Sequence, residues 1–307
     1  MSTWDFACSD PVDISIDSWT SGSIVVSGEP TSAVVVEVVP TGRDAEVHDV
    51  LAQVQVGFDD GQLYIRGPRP SAFRRRLGLD LTIKAPEGSS CAAKTVSADL
   101  TCVGDLSALT MQTASGDTSA EAVSGDVSVR SASGDVLLDT AGGDIAISTA
   151  SGDIQAGRVG GYARVSTASG DVTLGYCAGS VSAQTASGDI QLAAVATGQI
   201  ELRSASGDMQ VAVVPGIGVY LDLASTSGSI RSELDPSAEE ELRESGVPVQ
   251  ISCRALSGDI RIIKATDVQV TPTAPAANPV AVAGASAQAA DPDQPESDHP
   301  APEAIES

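Results

Sequence analysis

The stretch TASGD at residues 149–153 decides the reading of this chain. It recurs at 113–117, 167–171 and 185–189, and the near-copy SASGD stands at 131–135 and 204–208. The glycines form a longer series, Gly116, Gly125, Gly134, Gly143, Gly152, Gly161, Gly170, Gly179 and Gly188, each nine residues after the last. Gly198 comes one residue late and Gly207 resumes the step. Self-similarity at a fixed period marks a repeat architecture.

Each unit reads small–Ser–Gly–Asp–apolar–x–apolar. The apolar pairs are Val127 and Val129, Val136 and Leu138, Ile145 and Ile147, Ile190 and Leu192, Ile200 and Leu202, and Met209 and Val211. Alternation over so short a span predicts one half-buried strand per unit. The Ser-Gly-Asp predicts the turn, with glycine supplying positive φ and Ser and Asp bonding the local backbone. Gly116, Gly125, Gly134, Gly143, Gly152, Gly170, Gly188 and Gly207 are therefore the expected structural turns.

A second period lies above the first. The full motif returns every 18 residues, at Thr113, Ser131, Thr149, Thr167 and Thr185, then at Ser204 after a one-residue insertion. The units between are looser: AVSGD, TAGGD, RVGGY, YCAGS and VATGQ. Two unequal nine-residue sides make one coil, and coils stack about 4.8 Å apart. The expected fold is all-β: a flattened two-sheet β-solenoid of 18-residue coils, covering residues 89–265. Aromatics at 3% of 307 residues suit two close sheets with a thin aliphatic core.

Residues 1–88 are β-like without the period. VDISID (12–17), SIVVSG (23–28), SAVVVEVV (32–39), AQVQVG (52–57), QLYIRG (62–67) and LDLTIKA (79–85) read as strands, and DDG (59–61) signals a hairpin. This region is expected to cap one end of the solenoid, whose open backbone edge needs cover. A helical insertion is expected near 235–246, where Asp235 and Pro236 start a run that Gly246 stops. Residues 266–307, without Lys or Arg and rich in Pro and Ala, predict a disordered acidic tail.

SGD repeats led in by LTIKAPEGS (81–89), with strand-rich sequence before them, resemble the bacterial putative-adhesin family over roughly residues 10–265. That family comprises β-strand-repeat domains of unknown function, frequent in actinobacteria. The resemblance implies the architecture and brings no catalytic residue to carry over.

Charge narrows the function classes. Seventeen Lys and Arg stand against 41 Asp and Glu, a net charge of −24. Such a field repels nucleic acid and anionic headgroups and attracts basic partners. Five scattered cysteines, Cys8, Cys91, Cys102, Cys177 and Cys253, lack CxxC spacing, and only His48 and His299 are present. Neither a disulfide framework nor a zinc site is expected. No run approaches 18 apolar residues, so no membrane span is expected. The N-terminus lacks the basic and apolar regions of a secretory signal, so the expected location is cytoplasmic, and literal adhesion would need another export route. No G-x-S-x-G elbow or phosphate loop occurs, so an enzyme is not expected, nor a cofactor. The basic run RGPRPSAFRRR (66–76) reads as a solvated loop or a docking site for an acidic partner.

The repeated aspartates remain. Asp117, Asp135, Asp153, Asp171, Asp189 and Asp208 should line one edge, whereas the opposite edge keeps only Asp126 and Asp144 before Tyr162, Ser180 and Gln199. Two unit charges about 5 Å apart in water repel by roughly 1 kcal/mol. Five gaps cost on the order of 4–5 kcal/mol, a large share of a domain's stability of about 5–15 kcal/mol. Turn N–H groups are the expected compensation. The alternative is a calcium-responsive ladder at these six aspartates, although Asp directly after a single Gly leaves too tight a loop for six to eight oxygens. The function expected is non-catalytic: a regular acidic surface for an unnamed protein partner.

Overall fold

A computed structural model of the chain describes residues 1–41, 50–68, 78–234 and 248–265. The expected helix at 235–246 and the expected tail at 266–307 lie outside the described residues.

The strands of the first part are β1 (Ser2–Ala7), β2 (Asp13–Glu29), β3 (Ala33–Pro40), β4 (Gln55–Asp59), β5 (Gln62–Arg66), β6 (Leu79–Pro86) and β7 (Ser89–Gln112). The repeats give β8 (Thr118–Val123), β9 (Val127–Arg130), β10 (Val136–Ala141), β11 (Ile145–Ser148), β12 (Ile154–Val159), β13 (Ala163–Ser166), β14 (Val172–Cys177), β15 (Val181–Ser187), β16 (Ile190–Val195), β17 (Gln199–Ser206) and β18 (Met209–Val213). The last four are β19 (Val219–Ser227), β20 (Ile230–Ser232), β21 (Val249–Ser257) and β22 (Ile260–Lys264).

The all-β solenoid is present. One parallel ladder runs β8–β10–β12–β14–β16–β18 and the other β9–β11–β13–β15–β17. Partners lie 18 residues apart, as Val136 with Ile154 and Ile154 with Val172, until β15–β17 and β16–β18, where they lie 19 apart, as Val181 with Ile200. In β12, Ile154 and Ala156 are buried, Gln155 is exposed, and Val159 turns the corner inward. The core is one continuous row of Val, Ile, Leu and Ala, and burying a Val, Leu or Ile side chain contributes about 1.5–3 kcal/mol. The one-residue insertion is absorbed at Gly198, whose φ of +90° favours glycine.

The stack starts before the repeats. β2 pairs in parallel with β7 from Asp13–Ser90 to Gly28–Gly104, and β5 and β6 pair in parallel with the outer side of β2. The buried Trp19 donates its indole N–H to the Leu79 carbonyl at 2.9 Å, tying β2 to β6. The antiparallel strands are β4 on β5, and β3 on β6 with β1 beyond it. The expected hairpin is present at Asp60 and Gly61, both with positive φ.

Chain order and stacking order part at both ends. β2 lies between β7 and the later β5 and β6. At the far end β21 lies between β17 and β19, and β22 between β18 and β20, so the last coil in sequence sits inside the one before it.

The glycines answer to the stack more than to the turn. A Cβ on Gly134 would fall 2.2 Å from the Gly116 carbonyl oxygen, and one on Gly152 would fall 2.2 Å from that of Gly134. Gly116, Gly134 and Gly152 are not among the positive-φ residues. For Gly116, Gly125, Gly134, Gly143 and Gly152 the reason expected from the turn is therefore corrected, because the coil next door leaves no room for a side chain; Gly170, Gly188 and Gly207 do adopt the expected positive φ and meet the same crowding.

Candidate interaction surface

Every coil delivers one aspartate to the same edge. The Asp117 backbone N–H donates to Asp99 Oδ1 at 3.0 Å, Asp135 to Asp117 at 2.9 Å, and Asp153 to Asp135 at 2.8 Å. Asp171, Asp189, Asp208 and Asp259 repeat the bond, at 2.9, 2.8, 2.7 and 2.8 Å. The Ser229 N–H closes the series on Asp259 Oδ1 at 2.7 Å. Turn N–H groups do compensate the carboxylates, but the expected bonding of Asp to its own local backbone is corrected, because each carboxylate reaches forward to the next coil instead of closing its own loop. The stacked backbone brings that N–H within reach one rung away.

The structure places Asp117, Asp135, Asp153, Asp171, Asp189 and Asp208 in one line and adds Asp99 and Asp259, which the repeat alone did not reveal. Asp99 stands in VSADL without a glycine. Asp259 lies 51 residues beyond Asp208, yet one rung away. The line is exposed throughout. Asp259 is held below the ordinary carboxylate range by the Ser229 backbone N–H first and its hydroxyl second. Desolvation works the other way, and Arg231 and Arg261 add smaller contributions to the lowering.

The opposite edge follows the same rule for two steps. Asp144 donates to Asp126 Oδ1 at 2.9 Å and Tyr162 to Asp144 Oδ1 at 2.7 Å; further on, Ser180 Oγ accepts the Gln199 N–H at 3.0 Å. Among the described residues, no group of three or more His, Cys, Asp or Glu is placed to hold a metal ion. Cys91, Cys102, Cys177 and Cys253 are buried and Cys8 half-buried. Burial pushes the Cys177 and Cys253 thiols up to about 12. The Cys102 thiol is raised by its hydrogen bond with Cys91 and then by burial. Of the basic run, residues 69–76 lie outside the described residues, while Arg66 ends β5 and pairs with Asp17 at 3.6 Å.

Parallel coils run from β2 to β22, joined from Asp99 to Asp259 by an aspartate rung, and residues 13–263 match the model of the family called Toastrack DUF4097. The chain belongs to that family. No curated protein matches this Toastrack chain. Similar solved structures include a putative adhesin of Bacteroides fragilis, 17% identical over 85% of this chain and 96% of its own, with a TM-score of 0.46. A putative lipid binding protein of Parabacteroides distasonis is 15% identical over 86% and 96%, with a TM-score of 0.42. A putative cell adhesion protein of Clostridium sporogenes is 11% identical over 86% and 99%, with a TM-score of 0.22.

Proposed function

We propose that this Toastrack protein is a non-catalytic, adhesin-like display scaffold whose acidic edge docks a basic protein partner. The observation that carries the reading is the division of labour within each carboxylate. Oδ1 is used by the next coil's N–H, as in Asp153 on Asp135, while the residue stays exposed to solvent. Stacking thus fixes a row of negative charges at a spacing of about 4.8 Å. A fixed row favours a partner whose Lys or Arg side chains repeat along an extended segment, and it speeds encounter at low salt.

The test is fluorescence polarisation with a labelled Lys-rich peptide as probe. The triple variant D135N/D153N/D171N keeps an oxygen acceptor for each N–H and removes three charges. A second triple, E121Q/D126N/D139N, removes the same charge away from that line. The first is expected to weaken binding at least tenfold and the second by less than threefold. Equal losses, or none in the first, overturn the reading.

A further inference from the structure

We propose that the outer face of the sheet formed by β4, β5, β2 and β7 binds a carboxylated sugar unit, with Lys94 and Arg130 taking the carboxylate and Tyr64 one face of the ring. This goes beyond the acidic edge and uses a different surface of the molecule.

That face holds a hollow of about 600 Å³, within the usual range of about 300–1,000 Å³ for small-ligand sites. The register builds it in two rows. Gly57 lies opposite Tyr64, Tyr64 opposite Ser15, and Ser15 opposite Ala92. The small residues Ser15 and Ala92 make a floor, and the half-exposed Tyr64 ring stands beside it. In the second row Gln55 lies opposite Arg66 and Arg66 opposite Asp17, and Lys94 follows just past the Ile16–Ala93 pair. Within β7 the next coil comes alongside, as the 2.9 Å hydrogen bond between the Thr95 and Thr113 hydroxyls shows. Thr110 and Gln112 therefore continue the two rows, both lining the hollow, and Gln112 lies opposite Arg130.

The charges select the ligand. In a chain of net charge −24 the hollow is lined by Arg66 and Lys94 against Asp17, and Arg130 stands on the next strand beside it, opposite Gln112. Asp17 is engaged by Arg66, while among the described residues no carboxylate pairs with Lys94 or Arg130. Their backbones stand two rungs apart, about 9.6 Å, and both side chains are long enough to converge on one carboxylate above the Gln112 amide. Asp17 and Gln55 at the other side accept hydroxyl protons and disfavour a second negative charge there. A ligand with one carboxylate and several hydroxyls meets both demands, and a stretch of phosphates does not. Tyr64 offers a flat apolar face with a polar rim, which suits the C–H face of a pyranose.

Isothermal titration calorimetry would use three probes: a tetrasaccharide with a single uronic acid unit, a neutral tetrasaccharide and inorganic polyphosphate. The uronate is expected to bind at least tenfold more tightly than either other probe. Lys94→Gln and Tyr64→Ala, both at exposed positions, should each weaken it at least fivefold with the melting temperature unchanged. The acidic-edge variant D135N/D153N/D171N should bind the uronate like the parent, which separates this site from the protein-docking edge. No uronate binding, equal binding of the neutral sugar, or polyphosphate binding that Tyr64→Ala leaves untouched would each overturn the assignment.

Discussion

Asp153 is bonded to Asp135: its backbone N–H sits 2.8 Å from the Asp135 Oδ1 across 18 residues of chain. The carboxylate is a connector between coils, and its charge is separable from that role. Asp135→Asn, which retains the acceptor and relieves repulsion, should melt at or above the parent temperature. Asp135→Ala orphans the Asp153 N–H and should cost about 1 kcal/mol. Urea denaturation of both variants gives the order, and an alanine variant as stable as the asparagine one would contradict the connector role.

Glycine is demanded by neighbours. Gly152→Ala places a Cβ 2.2 Å from the Gly134 carbonyl oxygen, so the rungs must part. Overpacking of this kind costs about 1–3 kcal/mol, and backbone cannot give way as a side chain can. Gly57→Ala meets nothing within 4 Å and should cost less than half as much in the same urea experiment.

Acid should loosen the far end of the aspartate line. Asp259 has its folded pKa lowered, chiefly by Ser229, so the folded state binds fewer protons than the unfolded state. Its contribution is fully present above the unfolded carboxyl pKa of about 3.9 and is lost as pH falls through the folded value. Urea midpoints between pH 6 and pH 2 should fall less steeply in Asp259→Asn than in the parent. Identical slopes would remove Asp259 from the acid response.

Calcium should not stabilise the molecule. One oxygen of each carboxylate is taken by an N–H, which leaves the edge short of the six to eight oxygens calcium uses. Thermal melts in millimolar calcium and in EDTA, at equal ionic strength, should superimpose. A rise of many degrees with calcium and none with magnesium would restore the ladder as a metal site.

The repeat made the fold legible because stacking in register forces the same residue types to return every 18 positions. Ile154, Val172 and Ile190 could be placed on one ladder from spacing alone. The line of aspartates was legible for the same reason, up to Asp208. The exchange of coils was not. Nothing in VQISC marks Ile251 as an inner rung between Ile200 and Leu221, because edge and interior strands of one solenoid carry the same alternation. The sheet face around Tyr64 was hidden too. Ser15, Tyr64 and Ala92 come from segments far apart in the chain, and only the pairing of β2 with both β5 and β7 brings them side by side.

Since β5 and β6 close one end out of chain order and β19 and β20 the other, the two ends are fixed assemblies and the middle is modular. Each middle coil contacts only its neighbours. Duplicating a gene segment that encodes 18 residues, such as 149–166, would lengthen the rod by one rung and the charged line by one aspartate while both ends stay as they are. Reach, and the number of charges available to a partner, can therefore evolve in whole steps.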